Sequence, residues 1–160
     1  MKKVFILDAK RSPIGSYLGT LSEMHPRQFS SQVLKGMLKE HHFPLKDIDE
    51  VVLGNILPAG LGQGLARQIS IDSGIPVSVP AYALNMVCGS GMKTVMKASI
   101  SILAGTQHLV VAGGVESMSG TPFLVPGKVR KGVKMGNQSL LDHMIYDALT
   151  DAFDGYHMGI

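Results

Sequence analysis

The single cysteine of this 160-residue chain lies in a short stretch, Asn85–Gly91, with the sequence NMVCGSG. An extended run, Ala81–Leu84, comes before it, and a helical pattern follows from Met92 to about Leu103. Cys88 is therefore placed where a strand passes into a helix, and the free N–H groups at a helix start stabilise a thiolate. Gly89 and Gly91, which follow the cysteine, are expected to allow a sharp turn and a close approach by a substrate. The stretch favours a nucleophilic cysteine, while the bare residue also fits a buried structural cysteine.

Two further features bear on ligand binding. The glycine-rich loop, Pro58–Gly64, feeds a helix near Leu65 but lacks the Gly-Lys-Ser/Thr of a phosphate loop and the spacing of a dinucleotide site, so it favours a structural turn. Arg67 and Gln68 on that helix are candidates to anchor loops around the cysteine, with simple solvent exposure as the alternative. The six histidines have no acidic or cysteine partner at metal-ligand spacing, so no metal site is expected.

The composition is that of an ordinary globular chain. Hydrophobic residues make up 45% and charged residues 17%, and 160 residues are enough to bury one core. A single cysteine excludes an internal disulfide framework and fits a reducing compartment. The apolar run after Lys3 is too short for a signal peptide, and no run approaches the roughly 20 apolar residues that span a membrane. We therefore expect a cytoplasmic protein without a membrane partner.

The charge of the chain is mildly positive. Fifteen Lys and Arg residues against twelve Asp and Glu residues give a net charge of +3, and part of the excess lies between Lys128 and Lys134. No nucleic-acid-binding motif accompanies these charges, and aromatic residues are only 6%, so nucleic acid is not an expected partner. A phosphate-bearing small molecule, an anionic partner surface and a plain solvated loop all stay open as interpretations.

Four apolar runs are predicted to be strands and three amphipathic stretches to be helices, in the order β-α-β-α-β-α-β. The predicted strands are Val4–Leu7, Val51–Ile56, Ala81–Asn85 and His108–Gly114, and the predicted helices run from Pro26 to before Pro44, from Leu65 to Gly74 and from Met92 to Leu103. This alternation predicts an α/β fold with a mostly parallel sheet covered by helices on both faces. Ligands of such sheets bind beyond the carboxyl ends of the strands. Cys88, Gly60–Gly64 and Gly113–Met118 all follow strand ends, so we expect them to converge.

The amino-acid composition of the chain changes after Met118. Ser119–Gln138 holds two prolines, four glycines and the basic residues, which predicts an irregular insertion or a small separate layer. Asn137 or Ser139 is placed to cap a helix through Leu140–Leu149. The last ten residues predict an irregular tail.

Seven stretches in a fixed order resemble the thiolases, and among these the short-chain acetyl-CoA acetyltransferases. They are Arg11–Gly15, Gly54–Gly60, Ala66–Gln68, Asn85–Gly91, Ala112–Ser119, Gly132–Gly136 and Asp151–Gly159. The resemblance runs over the whole chain. It implies the first half of a layered thiolase-like fold, with residues 1–118 as an incomplete N-terminal α/β domain. Residues 119–160 would then begin a loop domain that covers coenzyme A, whose phosphates would account for the basic residues.

The chemistry that the resemblance implies is acyl transfer followed by Claisen condensation. Cys88 matches the nucleophile that takes acetyl from acetyl-CoA as a thioester, and its N–H matches part of an oxyanion hole. A second acetyl-CoA carbanion then attacks, giving acetoacetyl-CoA and CoA. Met118, Tyr156, His157 and Met158 match positions that line the pantetheine and acyl tunnel. The resemblance implies no cofactor besides these CoA substrates, no metal, and a homotetramer, a dimer of dimers, in lipid metabolism.

The chain departs from the thiolase pattern in its length. Thiolases have two similarly folded halves, and the second half supplies a histidine that activates the nucleophile, a second cysteine and an asparagine-held water. We expect the 160-residue chain to lack this acid/base half as a fragment and to be inactive alone. His108 is predicted at the amino end of a strand, opposite Cys88, and His157 matches a tunnel position, so neither replaces the missing base.

Three other functions stay open on the sequence. Another condensing enzyme of the same fold, such as a ketoacyl synthase, is disfavoured by Glu116–Met118 and His157–Met158. A non-catalytic assembly subunit would expose apolar surface and seek a partner. A redox sensor would use Cys88, but the chain has no second cysteine to resolve the oxidised thiol.

Overall fold

The structure, a computed structural model, describes residues 3–159. Its centre is a parallel three-stranded sheet with the strand order β2-β1-β3. The strands are β1 (Glu50–Gly54), β2 (Ala81–Leu84) and β3 (Val110–Gly114). The predicted parallel sheet is confirmed for these three strands, whose bounds lie within two residues of the prediction.

Three helices cover the sheet, namely α1 (Pro26–Glu40), α2 (Leu65–Asp72) and α3 (Ser90–Ala104). α1 begins at the predicted proline, and the His25 ring accepts the N–H of Arg27 at 3.1 Å. α3 ends at Gly105, whose φ of 79° is a left-handed conformation that glycine adopts without strain. None of the helices in residues 3–159 is both long and apolar enough to cross a membrane.

The two faces of β1 pack on different helices, because side chains alternate along a strand. Val51 and Leu53 belong to a core shared with α1 and α2, which includes Ile69. Gly54 instead lies against the first turn of α3. Val51 and Val52 are both fully buried, as expected for a strand covered on both faces. The prediction of helices on both faces is therefore confirmed.

The predicted first strand, Val4–Leu7, is wrong. The segment is extended but pairs with none of the strands in the described part of the chain, and Phe5–Leu7 are 60% to 79% exposed. It lies beside β3 across a groove of about 410 Å³ that is lined by residues 3–10 and 108–112, among others. The apolar composition favoured burial, but a strand also needs a neighbour within hydrogen-bonding distance. The groove keeps the segment out of that distance.

The region after β3 is irregular, as predicted, and contains a 3-10 turn at Gly127–Lys131. The predicted helix through Leu140–Leu149 is largely wrong. A short strand β5 (Leu141–Asp142) instead pairs antiparallel with β4 (Phe123–Leu124), and a π-helical turn, Ile145–Leu149, follows. Pairing with β4 takes the first residues of the predicted helix into an extended conformation.

The predicted caps of that helix are also wrong. Neither Asn137 nor Ser139 caps the turn, because both precede β5. The N-cap residue is Met144, and its N–H donates to Asp142 Oδ1 at 2.9 Å.

A carboxylate joins the amino ends of β1 and β3. Asp49 Oδ2 accepts the N–H of His108 at 2.5 Å and the N–H of Leu109 at 3.0 Å. These two amide donors lower the pKa of the Asp49 carboxyl below its ordinary value. His108 therefore lies at the end of the sheet opposite to the one that leads into Cys88, as predicted.

Asp49→Asn should lower stability in a pH-dependent way. Because the pKa of Asp49 is lower in the folded than in the unfolded protein, its carboxylate contributes stability that is present above the unfolded pKa and lost as pH falls through the folded pKa. The difference in free energy of unfolding between wild type and D49N should therefore shrink between about pH 6 and about pH 3, as measured by urea unfolding. Asp47→Asn is the control, because Asp47 is an exposed aspartate at the end of a 3-10 turn, Leu45–Asp47, just before β1. A difference for D49N that grows on acidification would contradict the assignment.

Gly54→Ala should destabilise the protein by about 1–3 kcal/mol. The added Cβ would lie 2.7 Å from the carbonyl carbon of Ser90 and 2.8 Å from the nitrogen of Gly91. Both are backbone atoms, so α3 would have to move. Gly36→Ala, in the exposed middle of α1 with nothing within 4 Å of the new Cβ, should instead stabilise by about 0.5–1 kcal/mol. Denaturant unfolding compares the two, and a G54A protein as stable as wild type would rule out this close packing.

Candidate active site

Cys88 lies in the loop between β2 and α3, at the carboxyl edge of the sheet. β2 ends at Leu84 and α3 begins at Ser90, so the predicted strand-to-helix position is confirmed. The cysteine stands one residue before the helix N-cap, Gly89. The cysteine is free, and the residue is exposed among residues 3–159, whereas a structural cysteine is usually buried.

A strained turn presents this thiol. Val87 has a φ of 47°, in the left-handed region that is unfavourable for a β-branched side chain. The buried Ser90 hydroxyl accepts the N–H of Met86 at 2.8 Å and donates to the Val87 carbonyl at 2.6 Å, and Asn85 Oδ1 accepts the Val87 N–H at 2.8 Å. The expectation that glycine supplies the sharp turn is wrong, because Gly89 has an ordinary φ of −84°. Side-chain hydrogen bonds hold the turn instead.

The backbone amides that follow Cys88 are used within the loop itself. The N–H of Gly89 donates to the Met86 carbonyl at 3.1 Å, and that of Ser90 to the Val87 carbonyl at 3.0 Å. The loop is therefore rigid on both sides of the cysteine. A rigid amide beside a nucleophile is the kind of group that stabilises an oxyanion without reorganising during the reaction.

Glycines let the first turn of α3 lie directly on the ends of β1 and β3. Gly54 contacts this turn, as described above, and a Cβ on Gly114 would lie 3.3 Å from Gly91 Cα. The fully buried Thr94 donates its hydroxyl to the Gly113 carbonyl at 2.9 Å. The residues that follow β1 and β3 are thereby brought to the edge of the sheet that carries the cysteine.

Glu116, which sequence reasoning did not single out, joins these strand ends. Its carboxylate accepts the side-chain N–H of Asn55 at 2.8 Å and the backbone N–H groups of Ile56 and Leu57, each at 2.9 Å. Burial raises the pKa of Glu116, while the amide donors act in the opposite direction by favouring its ionised form. The sequence contains one signal for this residue, because Glu116 follows the two glycines that end a predicted strand. Its partners, however, follow only from β1 lying beside β3.

His143 is a second group that sequence reasoning missed. It is 6% exposed, and its Nδ1 lies 2.5 Å from Asp147 Oδ2. Its charge interaction lowers the pKa of Glu116, against the larger effect of burial. The expectation that no histidine has a suitably spaced acidic partner overlooked Asp147, four residues after His143. The burial of the histidine comes from the fold around it.

Met118, a predicted site residue, lies four residues beyond β3 and therefore at the same edge of the sheet as Cys88. Its carbonyl accepts the hydroxyl of Thr121 at 2.8 Å, which bends the chain after it. The side chain is 37% exposed. Its role in binding an acyl group stays a prediction.

Tyr156, His157 and Met158 lie together on an exposed turn near the end of the described chain. The turn is held by the N–H of Asp151, which donates to the Tyr156 carbonyl at 2.8 Å, and by the N–H of Met158, which donates to the Leu149 carbonyl at 2.7 Å. These bonds connect the turn to the π-helical segment. The predicted role of the three residues in a substrate tunnel stays a prediction.

The glycine-rich loop is a structural turn. Gln68 Nε2 donates to the carbonyls of Leu61 at 2.9 Å and Gln63 at 3.0 Å. The loop thus directs carbonyl oxygens to its centre, whereas a phosphate cradle directs N–H groups inward. Arg67 donates to the Val79 carbonyl at 2.6 Å, just before β2. Both side chains are therefore loop anchors.

One group of potential metal ligands lies outside the cysteine loop. Ligand atoms of Asp8, Glu40 and His41 all lie within 4.8 Å of one another. Lys10 Nζ approaches Glu40 at 2.9 Å and His41 Nε2 approaches Asp8 at 3.0 Å. Because Lys10 Nζ also lies 3.8 Å from Asp8 Oδ2, one ammonium group interacts with both carboxylates, and the group is explained as a surface ion-pair cluster.

Comparison with known proteins places this geometry in context. The family described as "Thiolase, N-terminal domain" matches residues 4–160. The chain is 46% identical over 158 residues to the acetyl-CoA acetyltransferase of Chromobacterium violaceum, covering 99% of this chain and 40% of that protein. It is 45% identical over 157 residues to the cytosolic acetyl-CoA acetyltransferase ERG10 of Gibberella zeae, covering 98% of this chain and 39% of the relative.

A solved structure is similar as well. The crystal structure of Acat5 thiolase from Ascaris suum, determined in complex with coenzyme A, superposes with a TM-score of 0.86 at 39% identity. The match covers 92% of this chain and 38% of that one. The chain thus spans about 40% of the length of the curated relatives it matches.

Ser90→Ala should destabilise the turn that carries Cys88. It removes two hydrogen bonds from a residue that is 3% exposed, at an expected cost of about 1–3 kcal/mol in the free energy of unfolding. Adding Val87→Gly should recover part of this loss, because glycine adopts a positive φ without strain. Ser99→Ala, half-buried on α3, should stay within about 0.5 kcal/mol of wild type. Equal stability of S90A and S99A in urea unfolding would contradict a stabilising role of the Ser90 hydroxyl in this turn.

Proposed function

Since the chain belongs to the thiolase family, whose N-terminal domain residues 4–160 match, we propose that Cys88 is the nucleophile of an acetyl-CoA C-acetyltransferase. One observation carries the proposal: the single cysteine is exposed and held on a strained turn at the start of α3. Relatives named acetyl-CoA acetyltransferase support the substrate class. We propose this activity for the whole protein, because the matched part is only 40% of the length of the Chromobacterium violaceum relative.

In the first step, the Cys88 thiolate attacks the thioester carbonyl of acetyl-CoA. The new S–C bond gives a tetrahedral oxyanion, and collapse of this intermediate breaks the bond to the CoA sulfur, which leaves as a thiolate and takes a proton. The Cys88 N–H, on its rigid turn, is proposed to stabilise the oxyanion.

In the second step, the acetyl group on Cys88 is the electrophile. A base removes an α-proton from a second acetyl-CoA, and the resulting carbanion forms a C–C bond to the acetyl carbonyl. Expulsion of the Cys88 thiolate releases acetoacetyl-CoA and regenerates the free thiol. Each step is reversible, so the same site carries out thiolysis of acetoacetyl-CoA.

The exposed basic residues are proposed to meet the phosphates of coenzyme A. Lys128, Arg130 and Lys131 lie on the 3-10 turn after β4, and Lys134 follows. Phosphate oxygens accept strong charge-assisted hydrogen bonds from such side chains. Met118 and the turn at 156–158 are proposed to contact the pantetheine and acyl ends.

The base and acid of the condensation are proposed to lie in protein beyond these residues. α3 supports this view with an apolar stripe at Met92, Met96, Ile100 and Leu103, which are 47% to 73% exposed. Their spacing of three and four places them on one helix face. Such a face is usually covered by further protein. We further propose that the whole protein forms a homotetramer and acts in lipid metabolism in the cytoplasm, as the resemblance to the thiolases implies.

Acetyl transfer to Cys88 is directly measurable. The protein isolated from its source, incubated with acetyl-CoA labelled in the acetyl group and quenched in acid, should carry the label on the peptide containing Cys88 as a hydroxylamine-sensitive thioester. Cys88→Ala should abolish the label and the formation of acetoacetyl-CoA, because no other cysteine is present in this part of the protein. Ser99→Ala serves as the control. Label retained by C88A, on any other residue, would overturn the assignment.

A further inference from the structure

We propose that Glu116 is a positioning residue for acyl transfer at Cys88, an inference that rests on the proposed function. Its carboxylate holds the segment after β1 in place, and that segment in turn holds the loop that carries the cysteine. Glu116 would thereby set the direction of the Cys88 thiol and amide relative to a bound acyl group, without touching the substrate.

Both oxygens of the Glu116 carboxylate accept hydrogen bonds. Oε1 accepts the N–H groups of Asn55 Nδ2 and Leu57, and Oε2 accepts the N–H of Ile56 at 2.9 Å, with Oε1 also 3.2 Å from that nitrogen. Three N–H groups pointing at one site need an acceptor without hydrogens, which an ionised carboxylate is and an amide is not.

Two contacts pass this placement on to the cysteine loop. The N–H of Asn55 donates to the Leu84 carbonyl at 3.1 Å, where β2 ends. The Ile56 carbonyl accepts a long hydrogen bond from Asn85 Nδ2 at 3.4 Å, and Asn85 Oδ1 holds the N–H of Val87, the residue before the cysteine. Displacing the Glu116 carboxylate therefore moves the start of the strained turn.

The test compares two reactions of the same thiol. Acetyl transfer from acetyl-CoA needs the thiol and the oxyanion donors aligned on a bound substrate, whereas alkylation by iodoacetamide needs only an accessible thiolate. In the isolated protein, Glu116→Gln should slow acetylation of Cys88 by about 10- to 100-fold. Alkylation should change by less than about threefold, and so should KM for acetyl-CoA, because Glu116 does not touch the substrate.

Glu50→Gln is the matched control. Glu50 is also a buried carboxylate that begins β1, but at the opposite end of the strand, and it accepts from the Tyr82 hydroxyl at 2.8 Å and from Gln107 Nε2 at 3.1 Å. E50Q should lower the midpoint of thermal unfolding as E116Q does, yet leave the ratio of acetylation to alkylation unchanged. A purely structural role of Glu116 would give the two variants the same ratio, and that result would overturn the proposal.

Asn85→Ala provides a second, independent variant. Because Asn85 is the link between Glu116 and the turn, N85A should also depress acetylation selectively, and the double variant N85A/E116Q should lose less than the product of the single losses. If the loss of acetylation rate in the double variant equalled the product of the two single losses, Asn85 would not link Glu116 to the turn, and the proposed route would be refuted. Normal acetylation in E116Q would refute the positioning role while leaving the proposed function intact, whereas a wild-type protein that is not acetylated at Cys88 would overturn both.

Discussion

The backbone of α3 rests on the backbone of β1, and this contact determines the geometry of the rest of the molecule. Any side chain at position 54 would bring a Cβ within 3 Å of two backbone atoms of the helix, so the contact exists only because Gly54 has none. The helix begins directly above the sheet, which leaves the loop from β2 little length in which to turn. The turn is made at Val87 under strain, and the buried Ser90 hydroxyl at the helix start stabilises it.

Carboxylates join β1 to β3 at both ends of the sheet, and their electrostatics differ. Asp49 is partly exposed, and its amide partners lower its pKa, so its charge stabilises the fold at neutral pH. Glu116 is more deeply placed, and burial raises its pKa despite three donors, so its ionisation is unfavourable for folding. A carboxyl group whose pKa is raised by burial, at the edge that carries the strained turn, is a feature found at functional sites. At neutral pH the charge at the amino end of the sheet therefore favours folding, whereas the charge at the carboxyl end does not.

Two apolar surfaces are exposed among residues 3–159, and both agree with a chain that matches only part of its thiolase relatives. Residues 3–159 hold an exposed cysteine on a strained turn and exposed basic side chains on the 3-10 turn after β4. The apolar stripe of α3 and the groove beside β3 are lined by side chains that globular proteins cover. Both features agree with a chain that matches about 40% of the length of its relatives.

The sequence by itself determined the order of the strands and helices of the sheet, the strand-to-helix position of Cys88 and the family, because these depend on periodicity and on motifs local in the chain. It did not determine the partners of Glu116 or the burial of His143, because both depend on segments that are distant along the chain. It also did not determine the hydrogen bond from Ser90 to Val87, because that bond depends on a backbone angle that the residue types do not reveal. The same limit explains both errors of secondary structure. Val4–Leu7 is apolar but has no strand beside it, and Leu141–Asp142 is drawn from a helical pattern into pairing with β4. Pairing between distant segments, which only the tertiary structure supplies, decided these cases.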